Sequence, residues 1–207
     1  MDVTFLITGF VALFVVIDPI GLAPLFVALT QGTAPERRRA IALRACVTGF
    51  LVLVAFTFFG EALLGFIGIS MPAFRIAGGV LLFLTALDML FERRQKRRED
   101  QHGDGPDPSV FPLAIPLIAG PGAIATVILL SQQVPGASGY VLTLGLSFAV
   151  IGLTFLLFLG ADLLEKGLGA TGINVVTRLL GMLLAALSVQ FVLDGLQDFG
   201  FAGGLAS

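Results

Sequence analysis

The sequence predicts an all-α membrane protein: six transmembrane helices arranged as two inverted three-helix repeats, with spans one and four broken near the midplane. Three observations carry that prediction. The 207-residue chain is 57% hydrophobic and only 13% charged, whereas a soluble domain carries roughly 25% charged residues. Its charges concentrate in one stretch, Glu92–Asp107, "ERRQKRREDQHGDGPD". The remainder falls into continuous apolar runs, each near or above the roughly 20 residues that a helix needs to cross the hydrocarbon core. A membrane β-barrel would instead show alternating segments of about ten residues. Finally, the two halves of the chain resemble each other.

Span one covers Val3–Thr30. Its opening, "MDVTFLITGF", has no basic region and includes Asp2, which argues against a cleaved signal peptide. "QGTAPERRR" separates it from span two, Ile41–Phe66, and "GIS" precedes span three, Pro72–Phe91. After the charged linker come span four, Phe111–Ser131, span five, Tyr140–Leu164, and span six, Ile173–Leu196. "QQVPGASG" and "EKGLGATG" divide these last three, and such mixtures of Gly, Pro, Ser and Thr form turns.

Lysine and arginine set the orientation. The loops after spans one, three and five share a side and carry Arg37, Arg38, Arg39, Arg93, Arg94, Lys96, Arg97, Arg98 and Lys166. The opposite side has only Arg75. The positive-inside bias places the basic loops in the cytoplasm and both termini outside. Tyr140, the only tyrosine, then falls at the outer interface.

The halves match at several points. "RIAG" at Arg75 opens span three and "RLLG" at Arg178 opens span six. "FFGEALL" ends span two and "FLGADLL" ends span five, while Pro19 in span one has its counterpart in Pro121 in span four. One period of about 100 residues accounts for all three pairs. The domain reading follows: residues 1–91 form the first three-span repeat, 92–110 a charged cytoplasmic linker, and 111–207 the second repeat. Three is an odd number of spans, so the second copy is inverted relative to the first, an architecture of many secondary transporters.

The candidate site lies at the two interruptions. In "FVVIDPIGLAPLF", Asp18, Pro19 and Gly21 sit near the middle of span one, and Gly120-Pro121-Gly122 interrupts span four. Proline removes a backbone donor and glycine permits dihedrals a helix does not use. Broken backbone at membrane depth is tolerated only where protein or a water-filled cavity satisfies the freed groups. Each break also starts a half-helix whose N–H groups attract anions. The substrate-binding candidates are therefore Asp18, Pro19, Gly21, Gly120, Pro121, Gly122, Ala123 and Thr126. An aspartate at membrane depth costs about 2.5–3.5 kcal/mol on insertion scales and usually faces a cavity. Asp18 has two roles open to it, holding a ligand or capping its own broken helix, and the Thr126 hydroxyl serves either backbone or ligand. Glu61, Asp88, Asp162 and Asp194 lie near span ends and rank below Asp18.

No cofactor or metal is expected, because Cys46 and His102 are each the sole residue of their type. No nucleotide motif appears, and no basic face interleaved with aromatics points to nucleic acid. Enzymatic chemistry has no nucleophile–base arrangement to support it. "DPIGLAPLF" and "PLIAGPGAIAT", together with the six spans and the basic central loop, resemble the MarC family of bacterial and archaeal inner-membrane proteins over nearly the whole chain. The resemblance implies a multi-pass protein of the bacterial inner membrane that transports small neutral amino acids such as glycine and alanine. Proton or sodium gradients are the candidate driving force. The family pattern also admits Asn at the position of Asp18. An exporter of another small solute, or a channel, is the alternative function.

Overall fold

The computed structural model describes residues 3–91 and 107–200, and within them every element is helical. Most of the charged linker 92–110, including His102, and the C-terminal residues 201–207 lie outside the described residues. In chain order the helices are α1 (Val3–Ile17), α2 (Pro19–Leu29), α3 (Pro35–Ile67), α4 (Met71–Leu90), α5 (Ser109–Ile118), α6 (Pro121–Gln133), α7 (Ala137–Leu159) and α8 (Ala161–Asp198). Five stretches are long and apolar enough to cross a membrane, and a sixth results when the bent pair α5–α6 is taken as one span. The protein is a multi-pass α-helical membrane protein.

The two broken spans form the centre. Two-thirds of the most apolar window in α1–α2 is buried, against less than a third for α3, α4 and α8. Nearly all of α6 from Gly122 to Ser131 is buried as well. The other spans turn large apolar side chains outward, among them Phe59, Phe66, Phe148, Val141 and Leu183. Such a surface suits lipid and not water. Antiparallel α4 and α8 pack closest, because small residues let their backbones approach. A Cβ at Gly79 would lie 2.8 Å from the Ser188 carbonyl oxygen, and one at Gly195 would lie 3.1 Å from that of Pro72.

Polar ties hold the two ends. At one end, Arg38 of α3 makes a two-pronged ion pair with Asp162 of α8, at 2.7 and 3.1 Å. The Arg38 guanidinium also lies over the Phe26 ring, which stacks on Phe158 of α7 at 4.5 Å. Arg44 binds Asp107 at the same end. A hydrogen bond from Ser109, with the charge of Arg44 added, holds the Asp107 carboxyl below its ordinary value. That depressed value keeps the tie in place until the medium is well acidic, and acid then dissolves it. At the other end, Arg75 of α4 pairs with Asp198 of α8 at 2.6 Å, and Tyr140 stacks on Phe58. Each tie joins residues that the six-span reading assigns to one side.

Several boundaries differ from the sequence expectation, among them the end of span five, where α7 stops at Leu159 and not at Leu164. Helix α3 starts at Pro35, not Ile41, so its arginine-rich first turns continue the helix past the apolar stretch. Arginine is a good helix former, and Pro35 suits a first helical position. The "EKGLGATG" segment is not a plain turn either. It runs within α8, interrupted at Gly169 (φ 63°, ψ 172°), and the membrane-crossing part starts at Thr171.

The topology has a direct test. In a Cys46→Ala background, a cysteine replacing the exposed Ser138 is expected to react with an impermeant thiol reagent in sealed cells. One replacing the exposed Gln31 is expected to react only after permeabilisation. Labelling of both from outside would contradict the six-span arrangement.

Candidate functional site

The first break is a tightly built junction. Asp18 adopts φ 54°, ψ 60°, a left-handed conformation that Asp and Asn tolerate better than most residues. Its N–H donates to the Phe14 carbonyl at 2.9 Å and closes α1, while its own carbonyl accepts from Leu22 N–H at 2.9 Å and opens α2. Pro19 follows at the first helical position, where its missing N–H leaves nothing unsatisfied. The carboxylate then folds back over α2, and Gly21 N–H donates to Asp18 Oδ1 at 3.0 Å. A Cβ on Gly21 would sit 2.1 Å from Oδ2. Glycine is thus the residue that admits the carboxylate. Asp18 is fully buried, and its carboxyl group lies at the N-terminal, positive end of α2. Of its two candidate roles, the capping one is the role its geometry displays.

The second break is built differently. The residue before a proline is pushed out of helical dihedrals. Phe111 (φ −126°, ψ 126°) and Ile115 (φ −128°, ψ 123°) accordingly interrupt α5 ahead of Pro112 and Pro116. The segment winds loosely, with five-residue hydrogen bonds from Leu113 N–H to Pro108 O and from Ala119 N–H to Ala114 O. The arms α5 and α6 meet at 54°. Gly120 is the corner: a Cβ there would fall 2.5 Å from the Pro116 carbonyl oxygen. Among the described residues no side chain caps α6, so the first-turn N–H groups of Gly122 and Ala123, which have no intrahelical acceptor, are open to another partner. Pro121 contributes none. Thr126 is buried, and its hydroxyl donates to the Gly122 carbonyl at 2.8 Å, so it serves the backbone.

A cavity of about 90 Å³ lies against this N-terminus, lined by Gly120, Pro121, Gly122 and Ala123, by Pro116 and Leu117 of α5, by Thr85 and Asp88 of α4, and by Val16 of α1. It has room for a few waters or one small solute. Four of the eight sequence candidates therefore share one cavity. Asp18, Pro19 and Gly21 are not part of its lining, and the first break reaches it through Val16. Sequence reasoning missed Val16, Thr85, Pro116 and Leu117, and it ranked Asp88 low. Pro112 and Pro116 did carry a signal, since proline four residues after proline spoils a helix twice.

The comparisons with known proteins are uniform. The MarC family, described as integral membrane proteins, matches residues 3–199. The membrane protein YvbG of Bacillus subtilis is 39% identical over 203 residues, covering 95% of this chain and 96% of its own. The inner membrane protein YhgN of Escherichia coli is 38% identical, covering 93% and 96%. The membrane protein MJ1677 of Methanocaldococcus jannaschii is 33% identical, covering 95% and 98%. No solved structure matches the chain.

Proposed function

The chain belongs to the MarC family of integral membrane proteins, and on that premise we propose that it is a secondary transporter of small neutral amino acids. Glycine and alanine are the intended size class, and the inner membrane is the site of action, as the name of YhgN suggests. The observation that carries the reading is the cavity of about 90 Å³ at the second break. Its size suits a solute of a few heavy atoms. Its wall includes the first-turn N–H groups of α6, which attract a carboxylate through their partial positive charge.

Alternating access is the mechanism this architecture favours. A discontinuous helix at midplane depth is the usual binding element in transporters built from inverted repeats. Corresponding spans of the two halves, α3 with α7 and α4 with α8, pack against each other, as rocking halves would require. The polar ties at the two ends, Arg38–Asp162 and Arg75–Asp198, are the contacts such rocking would break in turn. The basic loops face the cytoplasm and both termini face outside in this reading. A proton or sodium gradient supplies the energy.

The test is uptake of labelled glycine and alanine by the purified full-length protein in proteoliposomes, with proton and sodium gradients imposed separately. Saturable uptake, accelerated by unlabelled substrate on the far side, is expected. Flux that never saturates would indicate a channel. Absence of glycine and alanine flux under every gradient would overturn the substrate assignment.

A further inference from the structure

Helix α8 turns one face to α4 and the opposite face outward. Gly181, Ser188 and Gly195 lie on the inner face, close against Met89, Gly79 and Ile76. Ala186 and Gln190, one turn apart, lie on the outer face and are exposed. The membrane-crossing part of α8 has 28 residues and is about 42 Å long, against a hydrocarbon core of about 30 Å. A centred span therefore leaves roughly 6 Å outside the core at each end. Gln190, about 12 Å from the helix end at Asp198, lies inside the core on a face that meets lipid. The ion pair of Asp198 with Arg75 suits a helix end at the polar boundary.

A primary amide in lipid costs free energy unless its donors and its oxygen are satisfied. The chain supplies Gln190 with one bond, from Nε2 to Asp194 Oδ1 at 2.6 Å. Among the described residues its second N–H and its amide oxygen have no partner.

We infer that the outer face of α8 docks on the same face of a second copy of this chain, with the two Gln190 amides bonded to each other across a two-fold axis. The chemistry selects this occupant. Two copies inserted in one orientation hold Gln190 at the same depth, and an axis along the membrane normal brings the amides together. Each amide has one N–H and one oxygen to give, so the pair exchanges two N–H···O bonds. Asp194 holds the other N–H and steadies the amide. A lipid tail offers neither donor nor acceptor. Ala186, one turn deeper, is small enough to let the helices approach, as membrane helix interfaces favour. Two-fold dimers are also the commonest closed assembly. The inference stands apart from the transporter reading, and neither needs the other.

The experiment has two arms. In a Cys46→Ala background, Ala186→Cys is oxidised with copper–phenanthroline in native membranes, beside a Phe148→Cys control that is exposed on α7 at a similar depth. A product of twice the chain mass is expected from Ala186→Cys and little from Phe148→Cys. The second arm follows self-association of the purified full-length protein by sedimentation over a dilution series in detergent, for wild type and Gln190→Leu. Loss of two interhelical hydrogen bonds is expected to weaken association about tenfold. Any of four results overturns the inference: no dimer from Ala186→Cys, an equal yield from Phe148→Cys, a product joined to a different protein, or undiminished association in Gln190→Leu. Should Gln190→Leu not fold, the contrast between the two cysteine positions decides.

Discussion

Gly21→Ala is expected to destabilise the protein by about 1.5–5 kcal/mol, a large effect for a single methyl group. The added Cβ would lie 2.1 Å from Asp18 Oδ2, 2.7 Å from Cγ and 2.9 Å from Oδ1. The carboxylate cannot stay where it is. Displacing it forfeits the cap on α2, worth about 0.5–2 kcal/mol, and leaves a buried polar group without that hydrogen bond, at a further cost of about 1–3 kcal/mol. Asp18 is fully buried, so water cannot take over. Asp18→Asn is the control. It keeps an oxygen to accept from Gly21 N–H and tolerates the left-handed backbone, so it should cost less than about 1 kcal/mol. Thermal unfolding of the purified variants in one detergent measures both. A Gly21→Ala variant as stable as wild type would mean that the carboxylate is not seated on α2. Amide and carboxylate cap a helix almost equally well, which is why the expected cost of Asp18→Asn is small.

Helices and spans were legible because hydropathy is a local property of composition, averaged over windows longer than any misread residue. The Gly120-Pro121-Gly122 break was legible for a different reason: a proline between two glycines interrupts a helix by its own local chemistry. Asp18 was harder. Its neighbours Pro19 and Gly21 are what a capped junction needs and also what an open binding loop needs. The choice depends on which way the carboxylate turns, and that turn is set by packing against the first turn of α2. Asp88 was ranked low because it stands near a span end, where water usually reaches an acid. Its place in the cavity wall appears only when Val16, Thr85, and the segment from Pro116 to Ala123 are brought around it. Those residues are distant in sequence and no short pattern links them. The loose winding of α5 had its cause in plain view at Pro112 and Pro116, but the span's strong hydropathy overrode it.

Gly122 offers the second large effect. A Cβ there would lie 3.1 Å from Val16 Cγ1 and Leu82 Cδ2 and 3.9 Å from Thr85 Oγ1, and both Val16 and Thr85 line the cavity. One methyl can be admitted if these side chains yield by a few tenths of an ångström, and it then occupies space the substrate needs. Gly122→Val adds two more methyls to the same place and is expected to abolish transport of both glycine and alanine. Overpacking of this kind also costs about 1–3 kcal/mol in stability, so the smaller substitution is the cleaner probe. In Gly122→Ala, alanine brings a methyl of its own into the narrowed cavity and glycine does not. A misfit of one methyl group is worth roughly 10- to 200-fold in discrimination.

The central claim, that the cavity at the second break is the substrate site of a small amino acid transporter, is tested most directly by one ratio. It is the glycine-to-alanine affinity ratio of reconstituted Gly122→Ala protein against wild type. The account predicts that the ratio shifts toward glycine by at least about tenfold. An unchanged ratio in a folded, transporting variant would contradict it.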